Sequence, residues 1–314
     1  MSKNFTILRL DQVIGDKRLE VFDNYGVDAE VTDYAVKRGT EGFKLKGKYF
    51  AANGMEPEGN LLDKMCCEYW TSTKADGTLG SAYSVGRLEA HQEASWDSEN
   101  GIRLVVPLSE IQDDIIDSYT VSGKNGDVTV VTYGEYPQTV IIGDESKKLT
   151  ELYEDGVMKP TGKSYGAEGY NVERYYDGNK WKYEESDYQE YELDGERYVL
   201  AERAVWDNGD SNRYFWSKVE PVEWLVDEKS GLAISKKCIV GGIPLKRNGL
   251  YLGNINKTRV QSFIDNNLVY DLMSQEKSLK KEMDEGFSTE DDLAQVFDDE
   301  EIEIAETKER SLHK

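Results

Sequence analysis

Histidine is nearly missing from this chain of 314 residues, which holds only His91 and His313. Catalytic designs that move protons through a positioned imidazole need more than this, and so do metal sites built on several imidazoles. His313 sits in a charged terminus, and His91 lies in a polar stretch between Glu89 and Glu93. Cysteine is also scarce: Cys66, Cys67 and Cys238. An odd count with two adjacent members does not make a disulfide framework, and it fits half-buried, reduced thiols in a cytosolic protein. A reactive Cys66–Cys67 pair is the sharper alternative, but Lys64 alone would favour a thiolate and Glu68 opposes it. No Gly-Lys-Ser/Thr phosphate loop and no G-x-G-x-x-G turn occurs. No apolar run approaches the roughly 20 residues of a spanning helix. The opening, MSKNFTILRLDQ, has neither an apolar stretch of signal length nor a small-residue cleavage site. The expected location is therefore cytoplasmic, or assembled into a virion.

Basic charge is in short supply. Lys and Arg number 38 against 61 Asp and Glu, a formal balance of −23. A chain of that sign is unsuited to wrapping nucleic acid through its phosphates or to docking on an anionic membrane. The acids are unevenly spread: from Glu282 to Glu309 there are thirteen, with Lys308 the one base. That tail reads as solvated or disordered. Within it, Ser288-Thr289-Glu290-Asp291 resembles a helix start, and Leu293, Val296 and Phe297 follow at i, i+3, i+4. Such a helix either packs back on its own domain or docks in a partner's groove.

Aromatic residues, by contrast, are abundant at 11%, with 20 Tyr and 6 Trp. Strand patterns are expected over Phe5–Leu10, Cys66–Thr73, Tyr83–Val85, Gly101–Pro107 and Asp127–Tyr133. A β meander should follow from about Tyr191. Its hairpins turn at Asp194-Gly195, at Asp207-Asn208-Gly209-Asp210 and at Asp227–Gly231. The second turn offers oxygen atoms of the kind calcium takes, but it lacks the usual loop spacing and reads better as a plain turn. Helices are expected at Asp33–Val36, capped by Thr32 or Asp33, at Ser146–Tyr153, and at Lys257–Leu272. Ser109–Ser118 reads as a helical turn in a connector. Trp70, Trp216 and Trp224 are expected core anchors, each needing a partner for its indole N–H. Pro221 suits a strand start or an edge. Arg103 in an apolar strand points either to a structural ion pair or to an anion or ligand contact. The row of Tyr between Tyr153 and Tyr198 is either a ladder within a sheet or an exposed platform for a partner.

Two stretches resemble known families. Glu68-Tyr69-Trp70-Thr71-Ser72-Thr73, then Ala82-Tyr83-Ser84-Val85, Trp96 and Gly101-Ile102-Arg103-Leu104-Val105-Val106-Pro107, resemble the end of C-type-lectin-like domains. These belong to the fold group that includes the formylglycine-generating enzymes. Tyr133-Gly134-Glu135-Tyr136-Pro137-Gln138, with Pro221-Val222-Glu223-Trp224 and Gly231–Lys237, resembles the opening of an uncharacterised bacterial and phage domain family. In those families the Tyr-Gly-x-Tyr-Pro-Gln opening precedes the Gly-x-Arg ending, whereas here the order is reversed. The chain is thus either two incomplete modules in tandem or one permuted domain. The cysteine arrangement of the enzymes has no match near Arg103, so their activity is not implied.

The expected fold class is α+β and β-dominated: a C-type-lectin-like N-terminal part plus a second β-rich part and an acidic, partly helical C-terminal tail. The expected boundaries are 1–110, a connector 111–121, a β-rich part with a closing helix 122–272, and a tail 273–314. The expected function is non-enzymatic, a binding or structural protein of a phage particle or surface assembly. It would recognise a protein or glycan through Trp70, Ser72, Thr73, Tyr83, His91, Trp96 and Arg103, with Leu293, Val296 and Phe297 as a partner-docking tail. No catalytic residue, metal or cofactor is assigned. No direct nucleic-acid or membrane partner is expected, whereas homo-oligomers or larger assemblies are compatible. The alternatives are an acidic decoy of a nucleic-acid-binding partner, and a glycan hydrolase using a carboxylate pair that 61 acids conceal.

Overall fold

The computed structural model describes residues 3–40, 42–44, 65–75, 82–85, 91–94, 100–166, 173–177, 180–184, 188–202, 214–243, 245 and 253–273. Strands β1 to β9 are Thr6–Ile7, Ala29–Val31, Gly42–Lys44, Met65–Cys67, Tyr69–Lys74, Ala82–Val85, His91–Ala94, Leu104–Pro107 and Asp117–Ser122. Strands β10 to β18 are Asp127–Ile141, Lys159–Tyr165, Glu173–Asp177, Lys180–Glu184, Tyr188–Leu193, Glu196–Glu202, Tyr214–Asp227, Leu232–Ser235 and Lys237–Cys238. The helices are α1 (Leu10–Val13), α2 (Glu20–Asn24), α3 (Asp33–Lys37), α4 (Leu108–Ile111), α5 (Gly143–Glu154), α6 (Arg259–Phe263) and α7 (Val269–Met273). A π turn, Ile264–Leu268, joins α6 to α7. The molecule is β-dominated, and no helix among the described residues is long and apolar enough to cross a membrane.

A nine-stranded antiparallel sheet organises the fold, in the order β1-β8-β17-β16-β15-β14-β11. β10 lies along the other side of β16, and β9 lies outside β10. The length of β16 makes this branching possible. Its first residues pair with β15 and its last with β17 on one side, while β10 runs along the opposite side. Side-chain alternation then sorts the residues onto two faces. Val131, Tyr133, Trp224, Val226, Leu104 and Val106 enter the largest core. Val128, Val130, Leu225, Ile234 and Val105 turn to the opposite face, where they meet α2 residues Val21 and Phe22. Farther along that face, Trp216 and Tyr198 pack beneath Leu149 of α5.

The largest core joins Phe5, Ile7, Tyr34 and Trp70 to Val131, Trp224, Val260 and Phe263. Residues of 1–110 and of 122–272 therefore share one sheet and one interior. The boundary at 110 follows β8, which sits between β1 and β17. Residues 111–121 are more than a connector. The helical turn expected over Ser109–Ser118 is met by α4 and a short 3-10 turn, Gln112–Asp114, and after it Asp117–Ser122 pairs in register with β10. There Tyr119 and Val121 alternate with Ser and Thr, which suits a strand laid against a partner. The expected tail, with Leu293, Val296 and Phe297, lies outside the described residues, as does the Asp207–Asp210 turn.

Several local expectations are met. The Thr32 hydroxyl accepts the Ala35 N–H at the start of α3. Asp194 (φ 53°) and Gly195 (φ 82°) form the left-handed turn between β14 and β15. All three expected tryptophan anchors are buried, and their indoles donate to Ile243 O (3.3 Å), Thr150 Oγ1 (3.0 Å) and Tyr133 O (2.9 Å) for Trp70, Trp216 and Trp224. Pro221 departs from expectation, since it lies inside β16 rather than at its start. It faces Glu135 at a register shift in β10, where the interrupted ladder does not need its missing N–H. The first strand is also shorter than expected, because the chain turns into α1 at Leu10.

Candidate functional site

The segments expected to carry recognition are brought together. Tyr69 bridges Gly101 in parallel, the Trp70 N–H donates to Gly101 O at 3.0 Å, and the Gly101 N–H donates to Glu68 O at 2.7 Å. Ile102 bridges Val240, Cys238 pairs with Val31, and Ala29 pairs with Cys67. Four short segments thus close a ring around Gly101. A Cβ on Gly101 would stand 2.6 Å from Cys67 Sγ and 3.1 Å from Cys238 Sγ, so only glycine fits. The three thiols are buried. Burial, and after it the hydrogen bond with Cys238, pushes the Cys67 thiol well above its ordinary range. These groups are inert filling, which disposes of a reactive Cys66–Cys67 pair.

Arg103 is fully buried beside this ring. Its guanidinium donates to Val27 O (2.8 Å), Ser235 O (3.1 Å) and Tyr69 Oη (3.4 Å). The rings of Phe22 and Tyr69 lie 5.0 and 5.3 Å from its central carbon. Burial pushes the Tyr69 phenol up to about 12, against the pull of Arg103, so it stays protonated. Arg103 therefore bonds to backbone carbonyls and aromatic faces. Among the described residues it forms no ion pair. Trp70 is likewise part of the scaffold, because its side chain is fully enclosed.

Ser72 and Thr73 serve the N-terminal segment. The Ser72 N–H donates to Leu8 O at 2.8 Å, and Thr73 Oγ1 accepts the Leu10 N–H at 2.9 Å, where α1 begins. Tyr83 and His91 lie in the three-stranded sheet β5-β6-β7, with Tyr83 opposite Glu93 and His91 opposite Val85. Trp96 lies outside the described residues.

A second polar region gives no sequence signal. It lies at the end of the main sheet, where β10, β11, β14 and β15 meet the C-terminal helix. The buried Glu190 carboxylate accepts hydrogen bonds from Tyr165 Oη (2.7 Å) and Thr161 Oγ1 (2.9 Å). Gly134 has φ 70° and sits under Leu272 O, and it turns the chain just before Glu135. Glu135 and Arg197 then form a two-point ion pair, with one contact at 2.7 Å. The hydrogen bond from Arg197 holds the Glu135 carboxyl below its ordinary range, despite partial burial. Asp271 of α7 accepts the Gly166 N–H at 3.0 Å. The Lys163 amine lies 4.8 Å from the Tyr165 ring centre. Burial pulls that amine down, while Glu190, Glu135 and Asp271 oppose the shift. Burial, and after it Glu190, pushes the Tyr165 phenol up, so it remains a donor.

Chemically, this region accepts and donates hydrogen bonds chiefly within itself. Glu190 and Glu135 are engaged by their own neighbours, and among the described residues no group of three or more His, Cys, Asp or Glu is arranged to hold a metal ion. With 61 acids in the chain, nothing in the sequence singles out Glu190, whose partners Tyr165 and Thr161 lie on another strand. No family model matches the chain, and no curated protein or solved structure matches it either.

Proposed function

We propose that the chain is a non-enzymatic binding or structural protein on a C-type-lectin-like scaffold, recognising a protein or glycan through loops 72–81 and 86–100. The observation that supports it is the rooting of the β5-β6-β7 sheet: Glu68 and Trp70, on either side of Tyr69, are hydrogen-bonded to Gly101, inside the closed ring. A fixed root lets the connections between β5, β6 and β7 vary without disturbing the core, and such loops ordinarily carry recognition. The shared core of the two resembling stretches favours one permuted domain over two modules in tandem. Engagement of Glu135 and Glu190 by Arg197, Tyr165 and Thr161 leaves neither free for glycoside chemistry. A phage particle or a bacterial surface assembly is the setting that fits this role.

The test is a glycan panel together with a pull-down from the native host, run on the full chain, on Trp96→Ala and Tyr83→Ala, and on a chain lacking 282–309. Salt-tolerant capture that both substitutions abolish and the deletion spares is the expected result. Capture that vanishes with salt and with the deletion would favour the acidic decoy instead.

A further inference from the structure

β9 has one neighbour. It pairs with β10 residue for residue from Asp117↔Thr132 to Ser122↔Asp127, without a bulge, and no described strand pairs along its other side. The hairpin is tied down at both ends. At its turn, the Lys124 N–H donates to Asn24 O (2.7 Å) and the Asn125 side-chain amide to Asp23 O (2.9 Å). At its base, the Ile116 N–H donates to Thr132 O (2.9 Å). In between, Tyr119 Oη donates to Glu223 and accepts from Lys236 Nζ (3.2 Å). An edge held straight in this way loses little freedom when another strand arrives.

Free edges are usually blunted by lysine, proline, a bulge or shortness. From Ile116 to Ser122 there is no Lys, Arg or Pro. The strand is 6 residues long, and Ile116 at its start is 64% exposed. We infer that the free edge of β9 pairs, antiparallel and across a two-fold axis, with β9 of a second copy of this chain.

The edge is complementary to itself. A two-fold axis perpendicular to the sheet preserves its faces, so opposed residues must have the same parity. Centred on Thr120, the pairing sets Thr120 against the partner's Thr120, Ser118 against the partner's Ser122, and Tyr119 against the partner's Val121. Hydroxyl pairs and aromatic–β-branched pairs are favourable cross-strand neighbours. The charged residues between Ile116 and Asn125 are Asp117 and Lys124, one of each sign. The same axis sets Asp117 against the partner's Gly123 and Lys124 against the partner's Ile116, so no like charges are directly opposed. One strand pair covers far less than a standard interface of about 1,600 Å², so the dimer is reversible.

Sedimentation of the full chain at rising concentration, with hydrogen exchange of residues 117–122, tests this. The expected result is a monomer–dimer equilibrium with protection of 117–122 that grows with concentration. Thr120→Lys places two ammonium groups on the axis and should weaken association about fivefold or more, with unchanged thermal melting because Thr120 is exposed. A chain that stays monomeric throughout overturns the inference. So does a dimer that Thr120→Lys leaves intact.

Discussion

The ring around Gly101 and the polar end of the main sheet solve one problem in opposite ways. Both enclose charged or polar groups. At the ring, the Arg103 cation is met by carbonyl oxygens, a phenol and aromatic faces, with the Cys67 thiol, raised by burial, alongside. At the sheet end, charges meet opposite charges, as in Glu135 with Arg197. The first arrangement is indifferent to pH across the range where carboxylates titrate. The second is not. Where a structure must hold the root of a variable loop, a cation bound to backbone is the sturdier choice, because removing a side-chain partner cannot strand it.

The largest effect expected is therefore at Arg103. Arg103→Ala strips donors from Val27 O and Ser235 O and opens a void, and it should cost about 3 kcal/mol or more by urea denaturation. A loss under about 1 kcal/mol would erase the contrast between the regions. Gly101→Ala comes next. A methyl 2.6 Å from Cys67 Sγ must displace it, at about 1–3 kcal/mol. Adding Cys67→Ala should recover part of that loss, a coupling that a double-mutant cycle reads directly.

Glu135 gives the smallest effect and the sharpest distinction. Its folded-state carboxyl titrates below its unfolded value, so its stabilisation is present above the unfolded pKa of about 4.3 and is lost as pH falls through the folded one. Both partners are partly exposed, at 22% and 31%, which limits the pair to about 1 kcal/mol. Glu135→Gln should flatten the acid limb of the stability profile. Arg103→Ala should lower the profile without changing its slope there.

Much of the local structure was legible in the chain. Thr32 before an apolar turn and Asp194-Gly195 between alternating runs act through neighbours a few residues away, and the three tryptophans declared their burial by type alone, though their acceptors lie 66 to 173 residues off. Arg103 stood out as an oddity, but nothing nearby in sequence named Ser235 O or Val27 O as its acceptors. The unity of the core was hidden for the same reason: β8 and β17, which lie side by side, are far apart along the chain. Glu190 was hidden among many acids, because its distinction comes from Tyr165 and Thr161 across a strand pair whose register shifts near Gly162. β9 lies in the stretch expected as a connector, because its short alternation of Tyr119 and Val121 with Ser and Thr gains weight only against β10.

The place of β8 between β1 and β17 bears on how the molecule is made. On a ribosome β8 can find β1 at once, but its second neighbour is missing until Leu232–Ser235 is translated. At about 5–20 residues per second, the wait is on the order of ten seconds. Throughout it, the β17 side of apolar Leu104, Val105 and Val106 stays open, so nascent chains stalled short of residue 232 should be prime clients for chaperones.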